Sequence, residues 1–145
     1  VEAALAGLAR EDLDVVATMP GGATTGGTAP ANAHVETFVP HSPVLARAEV
    51  AVTHGGMGAT QKALAAGVPV VVVPWGRDQA EVARRAEATG AGVLLPQRRL
   101  SPTALRDAVR RARGLRPAAA ALAAAMAADG GAPLAVDRSE SLARQ

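Results

Sequence analysis

The sequence predicts an α/β fold with an open, mostly parallel sheet and helices on both faces. Short apolar runs alternate with helical patterns along the 145 residues. The run at 69–73 is almost wholly apolar, as expected for a parallel strand that is covered on both faces. No internal repeat or linker interrupts this alternation, so a single domain with its own core is expected.

The first half of the chain is predicted to contain two helices and two strands. In chain order these are helix 2–11, strand 14–19, strand 34–39 and helix 42–48. The glycine-rich segment 20–33 is a loop by composition, and no helix start follows it that could hold a phosphate. Ser42 is expected to cap the second helix, with Pro43 at its first position.

The second half continues the same alternation. Its elements are strand 50–53, helix 58–66, strand 69–73, helix 78–89, strand 92–95 and helices 101–112, 117–128 and 136–143. Ser101 followed by Pro102 is a typical helix start. A doubly wound domain normally begins with a strand, whereas the first predicted element here is a helix. Residues 1–145 are therefore expected to be an incomplete domain that lacks its first strand.

Composition and charge exclude several classes of protein. The chain has no cysteine, so it has neither disulfides nor thiolate metal sites. No apolar run approaches the roughly 20 residues of a membrane-spanning helix, and the N-terminus shows no signal-peptide pattern. A cytoplasmic protein without stable membrane insertion is expected. Four arginines on one predicted helix are interpreted as a solvated face rather than a nucleic-acid surface: Arg106, Arg110, Arg111 and Arg113.

The most informative segment is VAVTHGGMGAT, residues 50–60. A β-branched run ends in His54, glycines follow, and a helix begins. At such a junction free backbone N–H groups and the helix dipole point to one place, and glycine lets a phosphate approach the backbone closely. An imidazole can donate a further hydrogen bond. The predicted diphosphate-binding residues are His54, Gly55, Gly56, Gly58, Ala59 and Thr60.

The segment 50–60 also admits other interpretations. The glycine spacing matches neither GxGxxG nor the P-loop pattern, so neither a nicotinamide cofactor nor ATP chemistry of the P-loop type is indicated. An isolated histidine at the position of His54 would favour a core or capping role, but the adjacent glycines favour phosphate. Thr60 could bind a phosphate oxygen or cap the helix, and the sequence leaves both open.

Asp78 and Gln79 follow the loop after strand 69–73, so they are expected at the same carboxyl edge of the sheet as His54. A carboxylate and an amide side by side suit sugar hydroxyls, which both donate and accept hydrogen bonds. Asp78 and Glu81 also match a capping box, and one residue can serve both purposes. Trp75 could pack on a sugar or merely cover the loop.

No catalytic group stands out in the chain. No second histidine or carboxylate lies at a metal-ligand spacing from His41, so no metal site is predicted. No arrangement identifies a nucleophile or a general base. Catalytic residues are therefore not expected within these 145 residues.

The segment 38–79 resembles the nucleotide-sugar-binding box of the UDP-glycosyltransferase superfamily, and most closely that of the bacterial macrolide and glycopeptide glycosyltransferases. The resemblance is carried in combination by FVP, VL, THGG, AL followed by GVP, a proline after the next strand, and DQ. It continues through EVARRAEATGAGVLL and the closing GGAPLAVDRSESL. Nearly the whole chain is covered.

The resemblance implies the C-terminal, donor-binding half of a GT-B enzyme, which has two Rossmann-like domains. It implies that His54 and the backbone from Gly56 to Thr60 contact the diphosphate, and that Asp78 and Gln79 hold the sugar. The base would lie against Phe38, Val39 and His41. The catalytic base and the pocket for a small lipophilic acceptor would belong to the absent N-terminal half. The 145 residues alone would then bind nucleotide weakly at most and would not transfer a sugar.

One departure from the family affects the donor. Lys62 stands where a glutamate that accepts hydrogen bonds from ribose hydroxyls is usual, and an ammonium cannot accept. Lys62 is therefore expected either to reach a phosphate or to leave the ribose unbound. This favours a dTDP-sugar over a UDP-sugar as the donor substrate, and no other cofactor is expected.

The leading hypothesis is an inverting hexosyltransferase. The alternatives are a non-catalytic nucleotide-binding module and a nucleotide-sugar epimerase of the same two-domain build. An epimerase would be favoured by a carboxylate-rich site near the sugar, and no such cluster is evident in the sequence.

Overall fold

The computed structural model describes residues 1–19, 29–76 and 78–129. In this part of the chain the helices are α1 (Glu2–Leu8), α2 (His41–Leu45), α3 (Met57–Ala65), α4 (Gln79–Ala88), α5 (Pro102–Arg113) and α6 (Arg116–Ala128). The strands are β1 (Val15–Thr18), β2 (Ala33–Glu36), β3 (Ala51–Thr53), β4 (Val70–Val72) and β5 (Gly92–Leu94). None of these helices is long and apolar enough to cross a membrane.

The predicted order of elements is confirmed, whereas several boundaries are not. The second strand was predicted to reach residue 39 but ends at Glu36, which leaves Phe38 in a loop. The predicted helix 136–143 and the glycine-rich run 21–27 lie outside the described residues. Ser101 caps α5 as predicted, since its hydroxyl accepts the Ala104 N–H at 3.1 Å.

The predicted cap of α2 is wrong. The helix begins at His41, and Pro40 occupies the cap position. The cap residue forms no side-chain hydrogen bond to the first turn of the helix. Pro43 is thus the third helical residue rather than the first. The N–H groups of a helix's first turn have no intrahelical acceptor, so proline costs no hydrogen bond there.

The prediction of parallel strands is confirmed, but the expected single sheet is divided in two. β1 pairs with β2, and β4 lies between β3 and β5. No ladder joins β1 to β3 in the described residues. Val15 of β1 and Val50, which precedes β3, nevertheless pack against the same apolar cluster.

β4 is at the centre of the core. All three of its valines are completely buried, which confirms that this strand is covered on both faces. Val71 belongs to a cluster that includes Leu8 of α1 and Leu105 of α5. The other cluster contains Val70 and Val72 and residues of α3, α4 and α6. The alternation of side chains along one strand thereby joins two helical layers.

α1 and α5 pack closely on one face. A Cβ on Gly7 would overlap the backbone carbonyl oxygen of Pro102, so the two helices approach at this glycine. Beyond the end of α1, Glu11 accepts from the Arg110 guanidinium at 2.8 Å. This pairing raises the pKa of Arg110 above its ordinary value. The Arg110 side chain is exposed and that of Glu11 largely covered, so solvent screens the pair from the arginine side and limits what it adds to stability.

Asn32 fixes the segment that connects α1 to β1. Its Nδ2 donates to the carbonyl oxygens of Leu8 and Leu13, each at 2.9 Å, and more weakly to that of Glu11 at 3.4 Å. The backbone carbonyl of Asn32 accepts the Val15 N–H at 2.8 Å, at the start of β1. One side-chain amide therefore binds three backbone carbonyls of this turn, and those of Leu8 and Glu11 also accept the backbone N–H groups of Glu11 and Leu13.

We expect Asn32→Asp to destabilise the fold by about 2 kcal/mol or more, because a carboxylate cannot donate and would face three carbonyl oxygens. Asn32→Ala should cost less, since it introduces no charge. Urea unfolding near pH 7 measures both, and Gln97→Glu on the exposed turn is the matched amide-to-carboxylate control. Equal losses for the two Asn32 variants would contradict this account.

Candidate functional site

The candidate site lies where β3 and β4 end. These strands are parallel neighbours with Thr53 opposite Val72, so the segments that follow them emerge at the same edge of the sheet. The two segments also touch. A Cβ built on Gly55 would lie 3.0 Å from the backbone oxygen of Gln79 and 3.2 Å from its Cβ. The structure therefore brings the predicted diphosphate and sugar residues together.

Gly55 is required by both its conformation and its surroundings. Its φ of 91° lies in the left-handed region, which residues with a side chain rarely adopt. A Cβ there would also come within 2.9 Å of Cγ1 of Val72, which is completely buried. The N–H of Gly55 donates to the Thr53 hydroxyl at 3.2 Å. This hydroxyl was not singled out from the sequence, although a threonine two residues before a turn glycine is a recognisable turn signal.

The start of α3 presents unpaired amides. The helix begins at Met57, one residue earlier than predicted, and no side chain caps Gly56. The first helical hydrogen bond runs from the Thr60 N–H to the Gly56 carbonyl at 3.0 Å. The N–H groups of Met57, Gly58 and Ala59 therefore have no intrahelical acceptor. Space around Gly58 is open in the described part of the chain, where a Cβ on this residue would meet no atom within 4 Å.

His54 lies beside these amides. Its side chain is exposed, and its ring is next to the backbone of Gly56. An ideal Cβ on Gly56 would be only 2.7 Å from the His54 Nε2. An imidazole and a helix N-terminus thus converge on one exposed spot, as the sequence predicted for an anion site.

Thr60 is placed differently from the other residues of this group. It is 2% exposed, and its hydroxyl is buried without a hydrogen-bond partner in the described part of the chain. The capping alternative is wrong, because the cap position is Gly56 and Thr60 is the fourth helical residue. Contact between this hydroxyl and a phosphate would require a local rearrangement that exposes the hydroxyl.

The loop before α4 is closed by Gln79. Its side-chain oxygen accepts the backbone N–H of Trp75 at 2.8 Å, and its amide nitrogen has no hydrogen-bond partner among the described residues. Asp78 and Trp75 are exposed, Trp75 by 59%. The indole therefore does not lie buried over the loop, and its face is accessible at the same edge as Gln79.

The predicted capping box of α4 is wrong. Asp78 is the cap residue, but its φ and ψ of −74° and −8° are helical, and its carboxylate bonds to no helix N–H. A capping side chain needs an extended backbone to turn back over the helix start. Glu81 instead pairs with Arg84 and Arg85, at 3.0 and 2.9 Å, and these hydrogen bonds, first that of Arg85, hold its pKa below the ordinary value.

The predicted base-binding residues lie in and after the loop that follows β2. Phe38 is 76% exposed, Val39 is half-buried and His41 is exposed at the start of α2. α2 packs beside α3. Lys62 is exposed on α3, and no carboxylate of the described residues forms an ion pair with it. Among residues 1–19, 29–76 and 78–129 no cluster of three potential metal ligands is found.

The chain matches a known family over nearly its whole length. The family described as "Erythromycin biosynthesis protein CIII-like, C-terminal domain" matches residues 2–140. The 4'-demethylrebeccamycin synthase of Lentzea aerocolonigenes is 46% identical over 107 residues, 74% of this chain and 25% of that protein. This agrees with the resemblance carried by residues 38–79.

Solved structures give the same result. The glycotransferase of kitacinnamycin superposes with a TM-score of 0.88 and 32% identity, over 97% of this chain and 38% of that chain. The glycosyltransferase VinC, solved in complex with dTDP, superposes with a TM-score of 0.74 and 31% identity, over 83% and 32%. The chain therefore spans only about a fifth to two fifths of the length of the proteins it matches.

Gly55 and Gly58 provide a matched pair for testing how the turn is built. We expect Gly55→Ala to destabilise the fold by about 2 kcal/mol, from the left-handed φ and the overlap with Val72. Gly58→Ala should be neutral or stabilising by about 0.5–1 kcal/mol, because it replaces a helical glycine in open space. Urea unfolding measures both changes. A Gly55→Ala protein as stable as the wild type would show that the turn is not constrained as described.

Proposed function

Because the chain belongs to the family of erythromycin biosynthesis protein CIII-like C-terminal domains, we propose that it is the donor-binding part of a GT-B glycosyltransferase. The whole protein would transfer a hexosyl group, with inversion, from a UDP- or dTDP-sugar to a small lipophilic acceptor in the cytoplasm. Support comes from the relatives, which are named as sugar transferases, and from VinC, which was solved with dTDP.

The observation that carries the proposal is the approach of His54 to the N-terminus of α3. The imidazole lies against Gly56, directly before three amides that have no intrahelical acceptor. In glycosyl transfer, negative charge develops on the diphosphate that leaves. Donors that are already in place stabilise this charge without reorganisation, and no metal ion is needed for that part of the task.

The same edge suggests how the sugar would be held. The side-chain oxygen of Gln79 accepts the backbone N–H of Trp75, so its amide nitrogen would donate to sugar oxygens. The exposed Asp78 carboxylate would accept from sugar hydroxyls. Trp75 would pack on the sugar ring, and Phe38, Val39 and His41 would contact the base.

We also propose that these residues are part of a larger, two-domain protein. In a doubly wound sheet of order 3-2-1-4-5-6 the first strand lies between the second and the fourth. The break between β1 and β3 is at the place where such a strand would lie. The acceptor pocket and catalytic base would come from the other domain, so the 145 residues alone would bind nucleotide without transferring sugar.

Lys62 bears on the choice of nucleotide. It is exposed on the helix whose N-terminus would face the diphosphate, and its ammonium can donate but cannot accept. A ribose 2'-hydroxyl would gain no acceptor from this residue. We therefore propose that the site does not favour ribose over 2'-deoxyribose, and that a dTDP-sugar can serve as its donor.

His54→Ala tests the diphosphate site. We expect UDP affinity to fall about tenfold or more, as for loss of a hydrogen bond to a charged group, while uridine binding stays unchanged. His34→Ala, on β2, is the matched control. The measurement is an NMR titration of the 145-residue chain. Wild-type protein that binds uridine as tightly as UDP would contradict the proposal, as would an equal loss for both ligands.

Lys62→Glu tests the nucleotide preference. UDP and 2'-deoxyuridine diphosphate differ only in the ribose hydroxyl. We expect the wild type to bind both about equally, and Lys62→Glu to favour UDP because a carboxylate can accept from the hydroxyl. Lys62→Met removes the ammonium without adding an acceptor for the ribose hydroxyl. Weaker binding of both ligands to this variant would indicate that Lys62 contacts a phosphate. A clear UDP preference in the wild type would refute the proposed dTDP-sugar donor.

A further inference from the structure

Gly56 is a glycine whose backbone does not require one. Its φ of −61° and ψ of 128° are in the extended region open to every residue. The neighbouring Gly55, with a φ of 91°, is different in this respect. Any effect of a side chain at position 56 must therefore come from the atoms around it and not from its backbone conformation.

The space beside Gly56 is filled by the His54 ring. The three atoms nearest to an ideal Cβ on Gly56 all belong to that imidazole: Nε2 at 2.7 Å, Cε1 at 3.1 Å and Cδ2 at 3.7 Å. The first two distances are shorter than an ordinary carbon contact of about 3.5–4.0 Å. Ring and side chain could not both occupy this volume.

Adding a side chain at position 56 would displace the His54 ring and would not destabilise the fold. His54 is exposed, so its ring can rotate into solvent when it is displaced. At Gly55, by contrast, the obstructing atoms are a buried valine and the Gln79 backbone, neither of which can move freely. An alanine at position 56 should thus leave stability nearly intact and move the imidazole away from the start of α3.

We infer that Gly56 is a positioning residue, which acts by having no side chain and thereby seats the His54 imidazole against the N-terminus of α3. The consequence for nucleotide binding rests on the proposed function. The seating of the ring does not, because it can be observed in protein without ligand.

The ligand-free test is the contact itself. Nuclear Overhauser effects between the His54 ring protons and the Gly56 α-protons are expected in the wild type. In Gly56→Ala, effects from the ring to residue 56 should be lost, with the urea unfolding midpoint unchanged. Gly114→Ala is the matched control, since position 114 has a φ of −70° and a Cβ there would meet only the Arg111 carbonyl oxygen, at 3.3 Å. A ring that keeps its position in Gly56→Ala would overturn the inference.

The functional test is a double-mutant cycle with UDP as the probe. We expect Gly56→Ala to weaken UDP binding about as much as His54→Ala, roughly tenfold, and to have no further effect when the imidazole is already absent. A loss of the same size in the His54→Ala background would show that Gly56 acts on the amides instead, which overturns the inference. If the wild type does not bind UDP, the proposed function fails, and the ligand-free test alone decides the role of Gly56.

Discussion

The burial of β4 on both faces is the constraint on which the site depends. Its three valines are completely buried and divide between two apolar clusters. Hydrogen-bonded neighbours on both sides fix the register, with Thr53 opposite Val72. Because Val72 also bounds the space next to Gly55, the turn after β3 packs against a buried side chain that cannot move freely.

That turn shows how glycine can serve different purposes within four residues. Gly55 adopts a left-handed φ and leaves room for Val72 and Gln79. Gly56 has an ordinary backbone, and its missing side chain makes room for an imidazole. Gly58 borders open space at the start of α3, where a ligand could approach the amides. Each glycine therefore makes room for a different neighbour.

The aromatic residues occupy loops rather than the core. Phe38 and Trp75 are the two aromatic residues of the sequence, and both are largely exposed. Each lies in a loop that follows the carboxyl end of a strand. The Trp75 loop is held by the side chain of Gln79, so it is ordered without burying the indole. Aromatic side chains kept accessible in this way are suited to contact a planar base or a sugar ring.

The sequence by itself determined the order of strands and helices, the buried character of β4 and the position of the helix that follows the glycines. These features depend on local periodicity and on glycine and proline, which act over a few residues. Tertiary structure decided what depends on contact or on local backbone geometry. It separated β1 from β3, enclosed the Thr60 hydroxyl and placed the imidazole against Gly56. No pattern of residue types encodes these outcomes, because each depends on backbone angles and on neighbours that only folding brings together.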